Sequence, residues 1–180
     1  MTITTRETKG RTTMIRLLVF SDTHLDTRRM EYAVNQVSPD VIVHLGDTIG
    51  DAAKIREKIP DMPFHMVKGN GDFQIAGELE KFITIENVKV FLTHGHKYHV
   101  KEGLFYLIRR ARELGTDLVL FGHTHGAAIV KEEGMTLMNP GQMQFHQERR
   151  RASYGIVTID DGIFVCEIVY LPSDLYNEFY

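Results

Sequence analysis

Only one cysteine, Cys166, occurs in the 180 residues, so no intramolecular disulfide is available and the chain suits a reducing compartment. Cys166 itself falls in an apolar strand pattern, where it reads as a small buried hydrophobe. No apolar run approaches the roughly 20 residues that span a bilayer, and no signal-peptide core is present. No membrane association is therefore expected, and the cytoplasm is the default location. Neither sign of charge is in large excess. The formal net charge is −3, which removes the electrostatic case for general nucleic-acid or anionic-membrane binding. Internal repeats and long linkers are also missing. What remains is an ordinary globular composition, 43% hydrophobic and 25% charged, in a chain long enough to bury a full core without disulfides.

Residues 1–13, MTITTRETKGRTT, are rich in threonine and basic residues and nearly free of large apolar ones. Such a stretch cannot bury enough surface to order itself. It is expected to be a disordered tail, either a vector-derived leader or the product of an upstream start codon, ahead of a single domain over 14–180.

The folded part opens with Ile15 to Phe20, a β-branched, apolar run that reads as a central strand and ends in Ser21-Asp22-Thr23-His24. Met30, Ala33, Val34 and Val37 follow at helical spacing, and Ser38-Pro39 ends that helix. Val41 to Leu45 is a second strand, running into Gly46-Asp47. Asp51 is a fair N-cap for a second helix with Ala52, Ile55 and Ile59 inward. Phe64 to Val67 is a third strand leading to Gly69-Asn70-Gly71-Asp72. This β-α-β-α-β order signals a parallel layer with right-handed crossovers.

The pattern then changes. Phe82 to Ile85 and Val88 to Leu92 flank Glu86-Asn87 as a hairpin, and the second strand exits at Thr93-His94-Gly95-His96. A helix follows with Leu104, Leu107, Ile108, Ala111 and Leu114 on one face and Gly115 as its stop. Leu118 to Phe121 is a buried strand ending in Gly122-His123-Thr124-His125; if extended backbone persists past Gly122, both imidazoles point the same way. Ala127 to Val130, Met135 to Met138 and the hairpin of Tyr154 to Ile159 with Phe164 to Tyr170 complete the chain. The second half therefore reads as mostly antiparallel. The expected architecture is α/β: two stacked sheets with helices outside.

Each strand exit carries residues of metal-ligating type: Asp22, His24, Asp47, Asn70, His94, His123 and His125. In open α/β sheets the carboxyl ends of the strands are where ligands bind. Oxygen and imidazole donors without thiolate suit Mn²⁺, Fe or Zn²⁺ rather than a structural zinc site. Seven ligands are too many for one ion but right for two, provided one carboxylate bridges. Two carboxylates against two divalent ions leave about +2 of uncompensated charge, which attracts a phosphate anion. Paired ions stabilise both the attacking and the leaving oxygen of an in-line displacement, and a bridging hydroxide would be the nucleophile.

Asp22-x-His24, Gly46-Asp47, Gly69-Asn70, Thr93-His94-Gly95-His96 and Gly122-His123-x-His125, in this order, resemble the calcineurin-like metallophosphoesterase family. The small size, Gly-Asn-x-Asp, His-Gly-His and Asn139-Pro140-Gly141 are similar to its compact bacterial and archaeal phosphodiesterase branch. The resemblance implies a four-layer α-β-β-α sandwich. It also implies one metal held by Asp22, His24 and His125, another by Asn70, His94 and His123, and Asp47 bridging them. Two divalent ions follow, Mn²⁺ foremost, with Fe, Zn²⁺ and Ni²⁺ as alternatives. A small phosphoester would be the substrate, and a homodimer or homotetramer is open.

The departures concern the proton. Many family members carry a histidine just after the motif asparagine, and here that position is Gly71. His96 is the candidate substitute, as phosphate ligand or acid, beside Asp47 and Asn70 as catalytic residues; a structural loop histidine is the equal alternative. Asp72 either orients ligands or is an exposed turn residue. His44 and His65 lie inside strands and read as structural, and His99 as solvated. His146 and Arg149-Arg150-Arg151 form a polar run that is either a solvated face or a source of an arginine for phosphate. The leading function is a dinuclear phosphodiesterase. The alternatives are a phosphomonoesterase of a small metabolite and a non-catalytic protein-binding scaffold of the same fold.

Overall fold

The computed structural model describes residues 2–3, 14–24, 27–144 and 151–173. The first sheet holds β2 (Ile15–Phe20), β3 (Val41–His44), β4 (Phe64–Met66), β10 (Ser153–Asp160) and β11 (Ile163–Tyr170), in the order β11-β10-β2-β3-β4. Strands β2, β3 and β4 are parallel and are linked by α1 (Thr27–Val37) and α2 (Ile49–Lys58). The second sheet holds β1 (Thr2–Ile3), β5 (Glu80–Ile85), β6 (Val88–Thr93), β7 (Leu118–Leu120), β8 (Ala128–Glu132) and β9 (Met135–Asn139), in the order β1-β5-β6-β7-β9-β8. Helix α3 (Phe105–Leu114) crosses from β6 to β7.

Strand periodicity sorts the side chains into layers. Leu17 and Val19 of β2 point between the sheets, where they meet Val41, Val43, Val90, Leu92, Leu118 and Leu120. Leu18 and Phe20 point the other way, onto Met30, Ala33 and Val37 of α1 and Ile55 of α2. On the far side, Phe91, Val119 and Leu137 pack against Leu107 and Ala111 of α3. The layers are helix, sheet, sheet, helix, as the sequence implies. The two-residue loops Glu86-Asn87 and Asp161-Gly162 all have positive φ, the twist that tight hairpins require.

Two readings are corrected and one is refined. The second half is mostly antiparallel, as read: β5 pairs with β6, β8 with β9, and β10 with both β11 and β2 in that sense. Within it, β6 pairs with β7, and β7 with β9, in parallel. The α3 crossover that the sequence shows makes the first of these parallel. Asp51 is not an N-cap but a fully buried residue inside α2; Thr48 holds the cap position, with left-handed backbone. Within the segment read as a disordered tail, Thr2–Ile3 pairs in parallel with Thr84–Ile85; the rest of 1–13 lies outside the described residues. Two β-branched residues near the chain start are enough to extend an edge, a signal too short to read from periodicity.

Leu17 is wholly buried in the layer between the sheets, whereas Ile163 is 74% exposed. Leu17→Ala should cost about 2–5 kcal/mol, as cavity-forming substitutions do. Ile163→Ala should stay within about 0.5 kcal/mol. Denaturant unfolding of both variants checks the contrast.

Candidate metal centre

The loops leaving β2, β3, β4, β6 and β7 meet at one end of the sandwich, and their close approach dictates the glycines. At Gly69 a Cβ would lie 2.1 Å from Asp47 Oδ1, and at Gly122 one would lie 2.0 Å from Ser21 Oγ. Asp72 ties the loops together. Its Oδ2 accepts the backbone N–H groups of Asp47 (2.8 Å) and Gly69 (2.9 Å), and its Oδ1 those of Thr48 (2.8 Å) and Ile49 (3.0 Å). A carboxylate on the first N–H groups of α2 also complements the positive end of that helix. Asp72 is therefore a buried clamp, not an exposed turn residue. On the other sheet, Asn139 Nδ2 donates to Gly122 O (2.9 Å) and Thr124 Oγ1 (3.0 Å), fixing the His123–His125 turn.

Five of the seven ligand candidates have left-handed backbone: Asp22 (φ 53°), His24 (48°), Asp47 (57°), His123 (69°) and His125 (58°). Non-glycine residues adopt this region rarely, and strained backbone concentrates at functional sites. The expectation of extended backbone after Gly122 is thereby overturned. His123 and His125 do not point the same way; they join two different groups.

The first group is Asp22, His24 and His125, and the second is Asp47, His94 and His123; within each, one ligand atom per residue lies within 4.8 Å of the others. In the first, Asp22 Oδ1 is 3.1 Å from His125 Nε2, without hydrogen-bonding geometry, and both Asp22 Oδ1 and His24 Nε2 are buried and unpartnered. Asp22 Oδ2 accepts from Ser21 Oγ at 2.6 Å, leaving Oδ1 as the free ligand atom. In the second, His94 Nδ1 donates to Leu45 O at 2.8 Å, because a carbonyl can only accept. The tautomer this selects directs the bare Nε2 at His123 Nδ1 (3.2 Å) and Asp47 Oδ2 (3.5 Å). In the first group Asp22 Oδ1 and His24 Nε2 converge without a hydrogen-bond partner, and in the second a bare His94 Nε2 faces Asp47 Oδ2; a divalent cation satisfies both arrangements. Nitrogen and oxygen donors without thiolate fit Mn²⁺, Fe, Zn²⁺ and Ni²⁺.

The charges agree. Burial acts to raise the Asp22 carboxyl, but the His125 contact, the charge of His94 and the Ser21 hydroxyl bring it below its ordinary value. Asp47 is lowered further: burial again opposes, and His94, the Gly71 N–H and His24 prevail. Burial pulls His94 down, yet Asp47 and Asp22 raise it overall. His123 falls to about 4 through burial, His94 and Lys101.

Asn70 begins a single 3₁₀ turn, Asn70–Asp72, and is exposed beside this centre; the next residue, Gly71, donates its N–H to Asp47 Oδ1 at 2.7 Å. The His96 ring lies 5.5 Å from that of His94 and 6.1 Å from that of His123, and its Nδ1 is buried without a partner. His44 is structural, as read; burial pushes it down to about 4. His65 is buried too, but its Nε2 has no hydrogen bond. His99 is exposed, with Glu102 3.9 Å away. Arg151 donates to Leu171 O and lies over the Tyr170 ring. His146, Arg149 and Arg150 lie outside the described residues. The hydroxyl of Thr23, absent from the candidates read in the sequence, holds Asp51 at 2.9 Å between the first two ligands.

The family model of the calcineurin-like phosphoesterase superfamily domain matches residues 15–162, and the chain belongs to that superfamily. Among curated relatives, the probable metallophosphoesterase YsnB of Bacillus subtilis is 32% identical over 148 residues, covering 81% of this chain and 85% of its own. A predicted phosphoesterase of Streptococcus pneumoniae superposes with a TM-score of 0.74 at 25% identity, covering 88% of this chain and 90% of that one. A solved archaeal phosphodiesterase shares the fold at TM-score 0.64 and 18% identity, with 86% and 100% covered. No helix among the described residues is long and apolar enough to cross a membrane.

The glycine geometry separates two neighbouring substitutions. Gly69→Ala drives a Cβ into the Asp47 carboxylate and should strip metal from the purified protein. Gly71→Ala brings its Cβ only to 3.1 Å from Asp47 Oδ1, so a shift of a few tenths of an ångström accommodates it and metal content should persist. Elemental analysis of both variants after metal loading gives the answer; equal metal contents would refute the close-approach reading.

Proposed function

We propose that the chain is a metal-dependent phosphodiesterase that holds two divalent ions. Asp22, His24 and His125 take one, Asn70, His94 and His123 the other, and Asp47 bridges. The observation that carries this reading is the pair of three-residue ligand groups, with Asp22 Oδ1 and His24 Nε2 of the first buried and unpartnered. When bound, the ions supply Lewis acidity toward the phosphoryl oxygens and make a bound water acidic near neutral pH. Mn²⁺ is the favoured occupant, and a small phosphodiester the favoured substrate, in line with the name of the archaeal neighbour. The cytoplasm is the proposed location.

The remaining steps belong to the chain's own residues. Asp72 holds the Asp47 backbone N–H, and the Gly71 N–H holds the Asp47 carboxylate. Leu45 O holds His94 with Nε2 forward. Lys97 and Lys101, whose charges act on His96 and His123, make that side of the site cationic and favour an anionic ester. Gly71 has no proton to give, so His96 is the group in place to protonate a leaving oxygen. A scaffold that only binds proteins has no need of two complete ligand groups.

Two predictions test this. Metal-stripped wild type with added Mn²⁺ should turn over bis(4-nitrophenyl) phosphate faster than 4-nitrophenyl phosphate, and Asp47→Ala should lose both turnover and metal. Near-normal activity of Asp47→Ala with full metal content would sink the dinuclear reading. Faster monoester turnover would make the protein a phosphomonoesterase. The second prediction concerns the acid. A positioned acid typically contributes about 10²–10⁴-fold, most for poor leaving groups. His96→Ala should therefore slow alkyl diesters by that order while leaving nitrophenyl diesters nearly unchanged. Rates over a leaving-group series decide it; parallel losses across the series would exclude His96 as the acid.

A further inference from the structure

Behind the ligands runs a second polar chain, and its hydrogen directions are fixed. The Gly46 N–H donates to His44 Nδ1 at 3.2 Å, so that nitrogen is bare and the ring proton sits on Nε2. His44 Nε2 lies 3.2 Å from Thr23 Oγ1, which in turn donates to Asp51 Oδ2 at 2.9 Å. Asp51 is the anionic terminus, with Lys54 Nζ 3.7 Å from its Oδ1. Thr23, His44 and Asp51 are all fully buried. Placing an imidazole, a hydroxyl and a carboxylate away from water is costly unless their bonds are made. The chain spans β3, α2 and the loop after β2, and its middle member stands between Asp22 and His24, the two residues of that loop with left-handed backbone.

We propose that the side chains of Thr23, His44 and Asp51 form a positioning device that acts chiefly on the metal position of Asp22, His24 and His125; the loop of Asp47 meets this chain through backbone groups alone. The inference rests on the metal-ligand reading above. The backbone N–H of Thr23 is also bonded, to Asp47 O at 3.3 Å, so the residue is gripped at both ends. Pinning residue 23 holds the residues on either side in a conformation their own φ preferences oppose. Asp22 Oδ1 and His24 Nε2 then face one point before any ion arrives.

The test reads metal affinity by titrating Mn²⁺ calorimetrically into the metal-stripped full chain. Thr23→Val keeps the branched shape and removes the hydroxyl contacts to His44, Asp51 and Thr48 O; Thr23→Ser keeps the hydroxyl. Two backgrounds separate the positions: His123→Ala leaves the Asp22 group intact, and His125→Ala leaves the Asp47 group intact. In the first, adding Thr23→Val should weaken Mn²⁺ binding about 10–100-fold, the usual effect of losing a partner behind a ligand, and Thr23→Ser should restore it. In the second, Thr23→Val should leave Mn²⁺ binding unchanged. Unchanged binding in the first background, or equal weakening in both, overturns the proposal. Because Thr23→Val strands buried polar groups and so endangers folding, ¹⁵N NMR of His44 in the metal-free wild type supplies a second readout. The Nε2–H tautomer is expected, and the Nδ1–H tautomer overturns the chain. A wild type that takes up no Mn²⁺ would instead refute the dinuclear reading, and the tautomer would still report on the chain itself.

Discussion

The Asp72 carboxylate is the fixed point on which the metal end of the sandwich depends. Its two oxygens accept N–H groups from Asp47, Thr48, Ile49 and Gly69. Without it, the loops after β3 and β4 and the start of α2 would leave buried backbone donors unpaired, each a loss of about 1–3 kcal/mol. Because Asp72 is itself fully engaged by the backbone, it is a poor ligand and a good anchor. The division of labour between Asp47, which faces the site, and Asp72, which faces the backbone, follows from that saturation.

An anchor is needed because the ligands sit on strained backbone. Left-handed conformations cost of order 1–3 kcal/mol each at non-glycine residues and persist only when the surroundings over-determine them. Here the surroundings do so at each turn. Asp72 fixes Asp47, Asn139 fixes the turn holding His123 and His125, and Thr23 is bonded at both its backbone and its side chain. The core behind these turns is ordinary: Val19, Val43 and Leu92 run up to the ligand loops with no exposed surface. Rigid strands deliver the chain to the site, and polar clamps then bend it.

This split explains what could be read in advance. Strand and helix periodicity around Leu17, Val43, Leu107 and Val119 is a local signal, and it gave the layers and the strand exits. The ligand residue types at those exits were visible for the same reason: each follows an apolar run, which stops at or near a glycine everywhere except before Asp22 and His24. Conformation at the exits was not visible. Two histidines at i, i+2 look alike to a pattern, yet left-handed backbone at His123 and His125 sends them to different groups. Asp51 passed for a helix cap because a cap and a buried acceptor share one residue type; only the Thr23 hydroxyl tells them apart. The parallel pairing of β7 with β9 was hidden too, since no helix links them to announce it.

The two ligand groups also set a relation between protons and metal. Against burial, Asp47 and Asp22 raise the His94 pKa, so a proton on its Nε2, beside Asp47 and His123, is held more tightly than on a free imidazole. A group whose folded pKa is raised contributes stability below its unfolded pKa, near 6.5, and loses it as pH rises through the folded value. A dication needs that same nitrogen bare, so proton and metal compete for one lone pair. Acid therefore weakens metal binding; it also destabilises the metal-free fold, because His44 and His123, both lowered to about 4, bind protons more readily once unfolded. The carboxylates of Asp47 and Asp22, which hold the His94 proton, are the same charges that attract a cation. Asp72, fully engaged with backbone N–H groups, lets the centre keep its shape through either exchange.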